Sequence, residues 1–239
     1  MTANPAIILV SPQLGENIGM CARAMFNCGL TDLRIVNPRD GWPSEKAVAA
    51  SAGALEGGVI ARVYSSTAEA IADLDYIFAT TARPRDMVKE IFTPRSAAEK
   101  ARTEKSVGFL FGAERSGLVN EDVALANGVI TIPLNPGFTS LNIAMAVMVV
   151  AYEWFASGDK TAPAQLMTGE SGIASAKEIA ELVGRMESEM DKGGFFRSPD
   201  LRPTLVRNLQ ALFARTRMTS QEASTFHGII SALTGLRRS

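Results

Sequence analysis

The residues with chemical capacity gather in three short stretches. Asn17-Ile18-Gly19-Met20-Cys21-Ala22-Arg23, Phe111-Gly112-Ala113-Glu114-Arg115-Ser116-Gly117-Leu118 and the segment 133–142 combine amides, a carboxylate, hydroxyls and guanidinium groups with turn-forming glycines. The third stretch holds the turn Asn135-Pro136-Gly137-Phe138-Thr139-Ser140 in front of a long apolar run. Free backbone N–H groups and small hydroxyls at a helix start suit the polar or anionic part of a small ligand. The spacings match neither a nucleotide P-loop nor G-x-G-x-x-G after a first strand, which disfavours ATP and nicotinamide. Cys21 and Cys28 fall on one expected helix about 10 Å apart, beyond disulfide reach, and read as small buried residues. With a single histidine, His227, the chain offers no zinc constellation, and no acidic cluster has calcium-loop spacing, so no metal site is expected.

The elements that must position these stretches alternate. Residues 6–10 form a continuous apolar run, as a fully buried parallel strand shows. Further strands are expected over 33–36, 59–64, 76–80, 107–111 and 129–132, with Pro133 stopping the last. Helices are expected over 17–28 with Asn17 as N-cap, then over 44–55, 67–74, 119–126 and 141–155. Residues 81–94 lack periodicity and read as a surface loop. In the run 141–155 only Asn142 and Glu153 are strongly polar. At about 22 Å it is too short for a bilayer, so it must be buried within its domain, against a second chain, or both. Strands alternating with helices give an α/β domain with a parallel sheet covered on both faces.

Composition is ordinary for a globular protein, with 46% hydrophobic and 21% charged residues and a net charge of −1. No secretory leader pattern is found and no membrane association is expected, so the expected location is cytoplasmic. Small, polar residues over 158–172 mark a linker between a domain at 1–157 and an extension at 173–239. The extension reads as three amphipathic helices, with a capping-box sequence at Thr219-Ser220-Gln221-Glu222. Basic residues are locally enriched, at Arg83, Arg85, Lys89, Arg95 and Arg115 and again at Arg197, Arg202, Arg207, Arg215 and Arg217. Such local bias is what phosphate contacts require, a solvated charged face being the competing reading.

Taken together, N-I-G-x-x-A-R-A-M from Asn17, F-G-x-E-x-x-G-L from Phe111 and I-P-x-N-P-x-x-x-S-L-N from Ile132 resemble the three motifs of the SPOUT-superfamily RNA 2′-O-ribose methyltransferases, the SpoU branch. The resemblance spans roughly residues 6–155. Thr80-Thr81-Ala82-Arg83 and the carboxyl-terminal F-F-x-x-P…L-F-A-R…M-T-x-Q-E…H-G-I-I pattern look like the TrmJ-type tRNA methyltransferases, which modify the ribose at position 32 of the anticodon loop.

The resemblance implies a parallel sheet whose carboxyl-terminal segment threads a trefoil knot, followed by a small all-helical extension that docks RNA. It implies S-adenosylmethionine as methyl donor, bound by Thr80, Thr81, Ala82, Gly112, Ile132, Thr139, Ser140 and Leu141. Asn17, Arg23, Glu114 and Asn142 become the candidate catalytic residues, Arg23 reaching into a partner subunit's pocket, and Arg83, Arg85, Arg115, Arg207 and Arg215 candidate RNA contacts. It also implies a homodimer through the helices 17–28 and 141–155. The expected substrate is tRNA; ribosomal RNA and a non-catalytic RNA-binding role are the alternatives. Judged alone, Ser140 would be a helix N-cap, and the Met145, Met148, Val149 and Tyr152 face reads as core or dimer interface.

Overall fold

A computed structural model describes residues 4–81, 87–162, 164, 166–198 and 200–235. The chain divides into two compact units, Met1–Thr161 and Ala162–Ser239. The first runs β1 (Ala6–Val10), α1 (Gly15–Asn27), β2 (Asp32–Val36), α2 (Glu45–Ser51), α3 (Ala54–Gly57), β3 (Ile60–Tyr64), α4 (Thr67–Ala70) and β4 (Tyr76–Thr80). It continues through β5 (Glu90–Phe92), α5 (Pro94–Ala101), β6 (Val107–Phe111), α6 (Asn120–Ala124), β7 (Gly128–Ile130) and α7 (Ile143–Gly158).

All seven strands pair in parallel, in the order β3-β2-β1-β6-β4-β7-β5. Alternate residues of β1 feed opposite faces. Ile7 and Leu9 join the core under α1, α2, α5 and α7, whereas Ile8 and Val10 join the core under α4 and α6. This two-residue period with apolar side chains on both sides is why the strand reads as unbroken hydrophobic sequence.

Two glycines of α1 let the helix lie unusually close to α2. A Cβ on Gly19 would stand 2.1 Å from the Ala47 carbonyl oxygen, and one on Gly15 would stand 2.3 Å from the Ser44 hydroxyl. At the far end of α7, Arg102 lies 3.5 Å over the Trp154 ring and donates to the Trp154 carbonyl at 2.6 Å and the Ser157 hydroxyl at 3.1 Å. A guanidinium at a helix carboxyl end satisfies orphan carbonyls and opposes the helix dipole.

Several boundaries differ from expectation. The stretch 81–94 is not loop throughout: Glu90–Phe92 forms the edge strand β5, too short to show periodicity. Behind it α5 opens on a Thr93–Ser96 capping box with Pro94 in its first turn. The helix expected over 44–55 breaks at Ala52, which adopts a left-handed conformation, and restarts at Ala54. α4 stops at Ala70, and β7 is complete at Ile130. Asn17 is not the N-cap of α1 but lies in its first turn; Leu14 holds the cap position and has no side chain able to cap. Nor is Ser140 the cap of α7: Asn142 is, its Oδ1 accepting from Ala144 N–H at 2.8 Å.

The second unit comprises α8 (Ala176–Lys192), α9 (Arg202–Thr216) and α10 (Ser220–Gly235) around Leu182, Val183, Phe213, Met218 and Ala223. Glu178 closes a capping box on Ser175, and Glu222 accepts from both the amide and the hydroxyl of Thr219. Arg202 is held internally, paired with Glu187 at 3.2 Å and lying 5.2 Å over Phe196. Arg207, Arg215 and Arg217 are exposed, and α9 carries no acidic residue.

The close approach of α1 and α2 has a measurable consequence. Gly19→Ala must push the Ala47 backbone away and lowers the unfolding free energy by roughly 1–3 kcal/mol. A denaturant titration reads this directly; an unchanged midpoint would mean the two helices do not meet at Gly19.

Candidate active site

Parallel strands all release their loops at one edge, and ligands of such sheets bind beyond those carboxyl ends. Here Thr80 and Thr81 at the end of β4, residues 111–117 at and beyond the end of β6 and the segment 132–141 after β7 enclose a cleft of ≈ 360 Å³, lined also by Ile143 and Ala146 of α7. The size suits a small organic ligand. Turning sharply after β6, the chain leaves no space for a side chain at Gly112, where a Cβ would stand 2.1 Å from the backbone of Gly117 and Leu118. Gly117 N–H donates to the Ala113 carbonyl at 2.7 Å, pinning the loop back on itself.

One polar relay ties the loops together. Glu114 accepts from Gln13 N–H at 2.9 Å and from Asn17 Nδ2 at 2.6 Å. Asn17 Oδ1 then accepts from Asn142 Nδ2 at 3.2 Å, and Asn142 Oδ1 caps α7. Asn17 is only 5% exposed, so its amide depends on these partners. The direction of the relay is fixed from both ends. An ionised carboxylate only accepts and a helix N-terminus only donates, which leaves one orientation for each intervening amide. Cys21 lies buried beneath Glu114; burial first, and the Glu114 charge second, push its thiol far above the usual range, so it is no nucleophile.

At the cleft one side chain is left wanting. The Thr80 hydroxyl is buried and has no hydrogen-bond partner, although Thr80 lines the cleft. A buried hydroxyl without a partner costs free energy that a ligand's polar group recovers.

Of the residues singled out in the sequence, Thr80, Thr81, Gly112, Glu114, Arg115, Ile132, Thr139, Ser140 and Leu141 border this one cleft, with Asn17 and Asn142 joined to it through the relay. Arg23 does not border it; it is exposed on α1, about 9 Å along the helix from Asn17. Ala82, Arg83 and Arg85 lie outside the described residues. Lys89 is occupied by the carbonyls of Ala124 and Ala126 at the end of α6, and Arg95 pairs with Glu153 at 3.3 Å. Arg207 and Arg215 belong to the second unit. Sequence reasoning missed the backbone of Gln13, the Thr80 hydroxyl as distinct from its backbone, and the walls made by Ile143 and Ala146. Only the last had a signal, their three-residue spacing on the first turn of α7.

Residues 4–152 match the model of the SpoU rRNA methylase family. The chain belongs to that family. Its members transfer methyl groups from S-adenosylmethionine. The chain is similar to the crystal structure of TrmJ from Z. mobilis ZM4, with 46% identity, a TM-score of 0.84 and coverage of 97% of this chain and 99% of that one. It is 35% identical to the tRNA (cytidine/uridine-2′-O-)-methyltransferase TrmJ of Escherichia coli K12, over 98% of this chain and 96% of that protein. A solved structure concerned with 2-OH methylation of C/U34 on tRNA is 28% identical with a TM-score of 0.53, covering 64% of this chain and 97% of that chain.

Asn17→Asp tests the relay. The substitution deletes the donor to Glu114 and sets a second carboxylate against the first, lowering stability by roughly 1–3 kcal/mol near neutral pH. Two adjacent carboxylates hold a proton more tightly folded than unfolded, so the deficit shrinks as pH falls through the carboxylate range. Chemical denaturation at several pH values reads both effects; a deficit independent of pH would contradict the contact.

Proposed function

We propose that this chain transfers the methyl group of S-adenosylmethionine to a ribose 2′-OH of tRNA, at nucleotide 32 of the anticodon loop. The observation that carries the reading is the convergence of three distant loops on one cleft that also holds the unpartnered Thr80 hydroxyl. These residues fit the donor: Thr80, Thr81, Gly112, Ile132 and Thr139 to Leu141 hold it largely through backbone, which suits a molecule with many polar edges. When bound, it supplies an activated methyl on a sulfonium. The protein's task is then to align a hydroxyl and manage its proton.

Arg23 carries that task in this reading. A guanidinium stays protonated and is a poor base, so Arg23 anchors the neighbouring phosphate and polarises the hydroxyl, whose proton leaves to that phosphate or to water. Asn17, Glu114 and Asn142 spend their polar groups on one another and hold the loops in register. The distance of Arg23 from its own cleft fits a homodimer. α1 exposes Met20 and Phe26, and α7 exposes Met145, Met148, Tyr152 and Phe155 at helical spacing. A second copy covers this face and brings its Arg23 to the first chain's cleft. The reading also includes a trefoil knot. β7 lies beyond β4 from β6, yet Asn142 returns to Asn17 beside the β6 loop, as a segment threaded through the preceding loops does.

tRNA is favoured over ribosomal RNA because both TrmJ relatives match along essentially the whole chain, second unit included. The C/U34 relative covers less than two thirds of it. Position 32 rests on the likeness to TrmJ-type enzymes. α9, basic and without acids, gives the second unit its RNA-docking role. Transfer of tritiated methyl to unmodified tRNA, followed by mapping of the modified nucleotide, tests the reading. Label on ribosomal RNA alone, or no label, replaces it with one of the two alternatives.

Arg23→Lys keeps the charge and loses the planar fork, so turnover falls at least tenfold while S-adenosylmethionine binding holds. Wild-type turnover would remove Arg23 from its role. A chain ending at Ser157 keeps donor affinity and loses tRNA affinity, and full-length binding weakens steeply with salt. Unchanged tRNA affinity in the shortened chain would show that the second unit does not dock RNA.

A further inference from the structure

Phe138 is the one large apolar side chain of the segment 133–142 that the fold leaves in water, at 71% exposure. Its placement is fixed. Phe138 N–H donates to the Asn135 carbonyl at 2.9 Å, and Gly137 N–H donates to Asn135 Oδ1 at 3.0 Å, so Pro136 and Gly137 form a tight turn that delivers the ring. The next three residues, Thr139, Ser140 and Leu141, are cleft wall. The same cleft is lined by Arg115 and Ser116, both exposed. Among the described residues no aromatic ring meets Phe138 and no carboxylate pairs with Arg115.

A solvent-facing ring next in sequence to the cleft wall and an uncommitted guanidinium in that wall make a pairing of one kind. Rings of this sort take the face of an unpaired nucleobase, and guanidinium groups take the phosphate beside it. We propose that Phe138 is the stacking platform for the base of the target nucleotide, with Arg115 holding its phosphate. The inference rests on the reading of the cleft as a ribose methylation site and adds how the base is received. A phenyl face carries no hydrogen-bonding code, so the platform accepts cytidine and uridine alike.

The test uses the full chain with Phe138→Ala and Phe138→Trp, and tRNA with and without 2-aminopurine at nucleotide 32. Removing the ring raises KM for tRNA roughly 5- to 150-fold, the range of one base–aromatic stack. It leaves KM for S-adenosylmethionine and the oligomeric state unchanged, and Phe138→Trp restores tRNA binding. The fluorescence of 2-aminopurine is quenched on binding to the wild type and far less on binding to Phe138→Ala. Wild-type KM and quenching in Phe138→Ala would overturn the platform, as would a drop in oligomer mass, which makes Phe138 a subunit contact. A wild type that quenches through Phe138 yet moves no methyl to tRNA supports the platform and removes the methylation reading. One that neither quenches nor methylates removes both.

Discussion

A buried amide with one permitted orientation governs the architecture of this edge of the sheet. Asn17 on the first helix is about a hundred residues or more from both Glu114 after β6 and Asn142 before α7, yet it donates to the first and accepts from the second. Left unpaired, the buried Asn17 amide would cost more than its bonds contribute when made, so the loops that carry Glu114 and Asn142 are tied to it. The cleft is the space those positions leave.

The rest of the first unit works to keep that register. Parallel pairing from β3 to β5 sends the relevant loops to one edge, and the close approach at Gly19 fixes α1 against α2, hence the angle at which Asn17 is presented. α7 is anchored at both ends, by Asn142 at its start and by Arg102 stacked on Trp154 at its finish. A helix held in this way can leave Met145, Met148, Tyr152 and Phe155 uncovered without losing its place. This is the arrangement expected of a helix that must serve the core and a second surface at once.

Much of this was legible in the sequence, for physical reasons that differ by element. Buried parallel strands such as 6–10, 76–80 and 107–111 announce themselves by unbroken apolar runs, and their observed limits coincide with those read from the chain. β5 did not, because three residues at a sheet edge, two of them exposed, leave no pattern. α5 carried its signal in Thr93, Pro94 and Ser96 and was overlooked within a basic, irregular stretch. The cleft residues were legible only through the three motifs together; singly, Ser140 read as a cap and Asn17 as another, but Asn142 takes the cap of α7 and the Asn17 amide goes to tertiary partners. Neither the Thr80 hydroxyl nor Phe138 could be weighed from sequence, since one matters by lacking a partner and the other by lacking cover.

The central claim is that the relay-bound loops form the donor's seat. A crystal structure of the full chain with S-adenosylhomocysteine measures this most directly. The account places the ligand between Thr80, Gly112, Ile132 and Leu141, with the Thr80 hydroxyl gaining a partner and the bonds from Asn17 to Glu114 and Asn142 intact. Density for the ligand elsewhere, or a cleft that opens by breaking those two bonds, would contradict it.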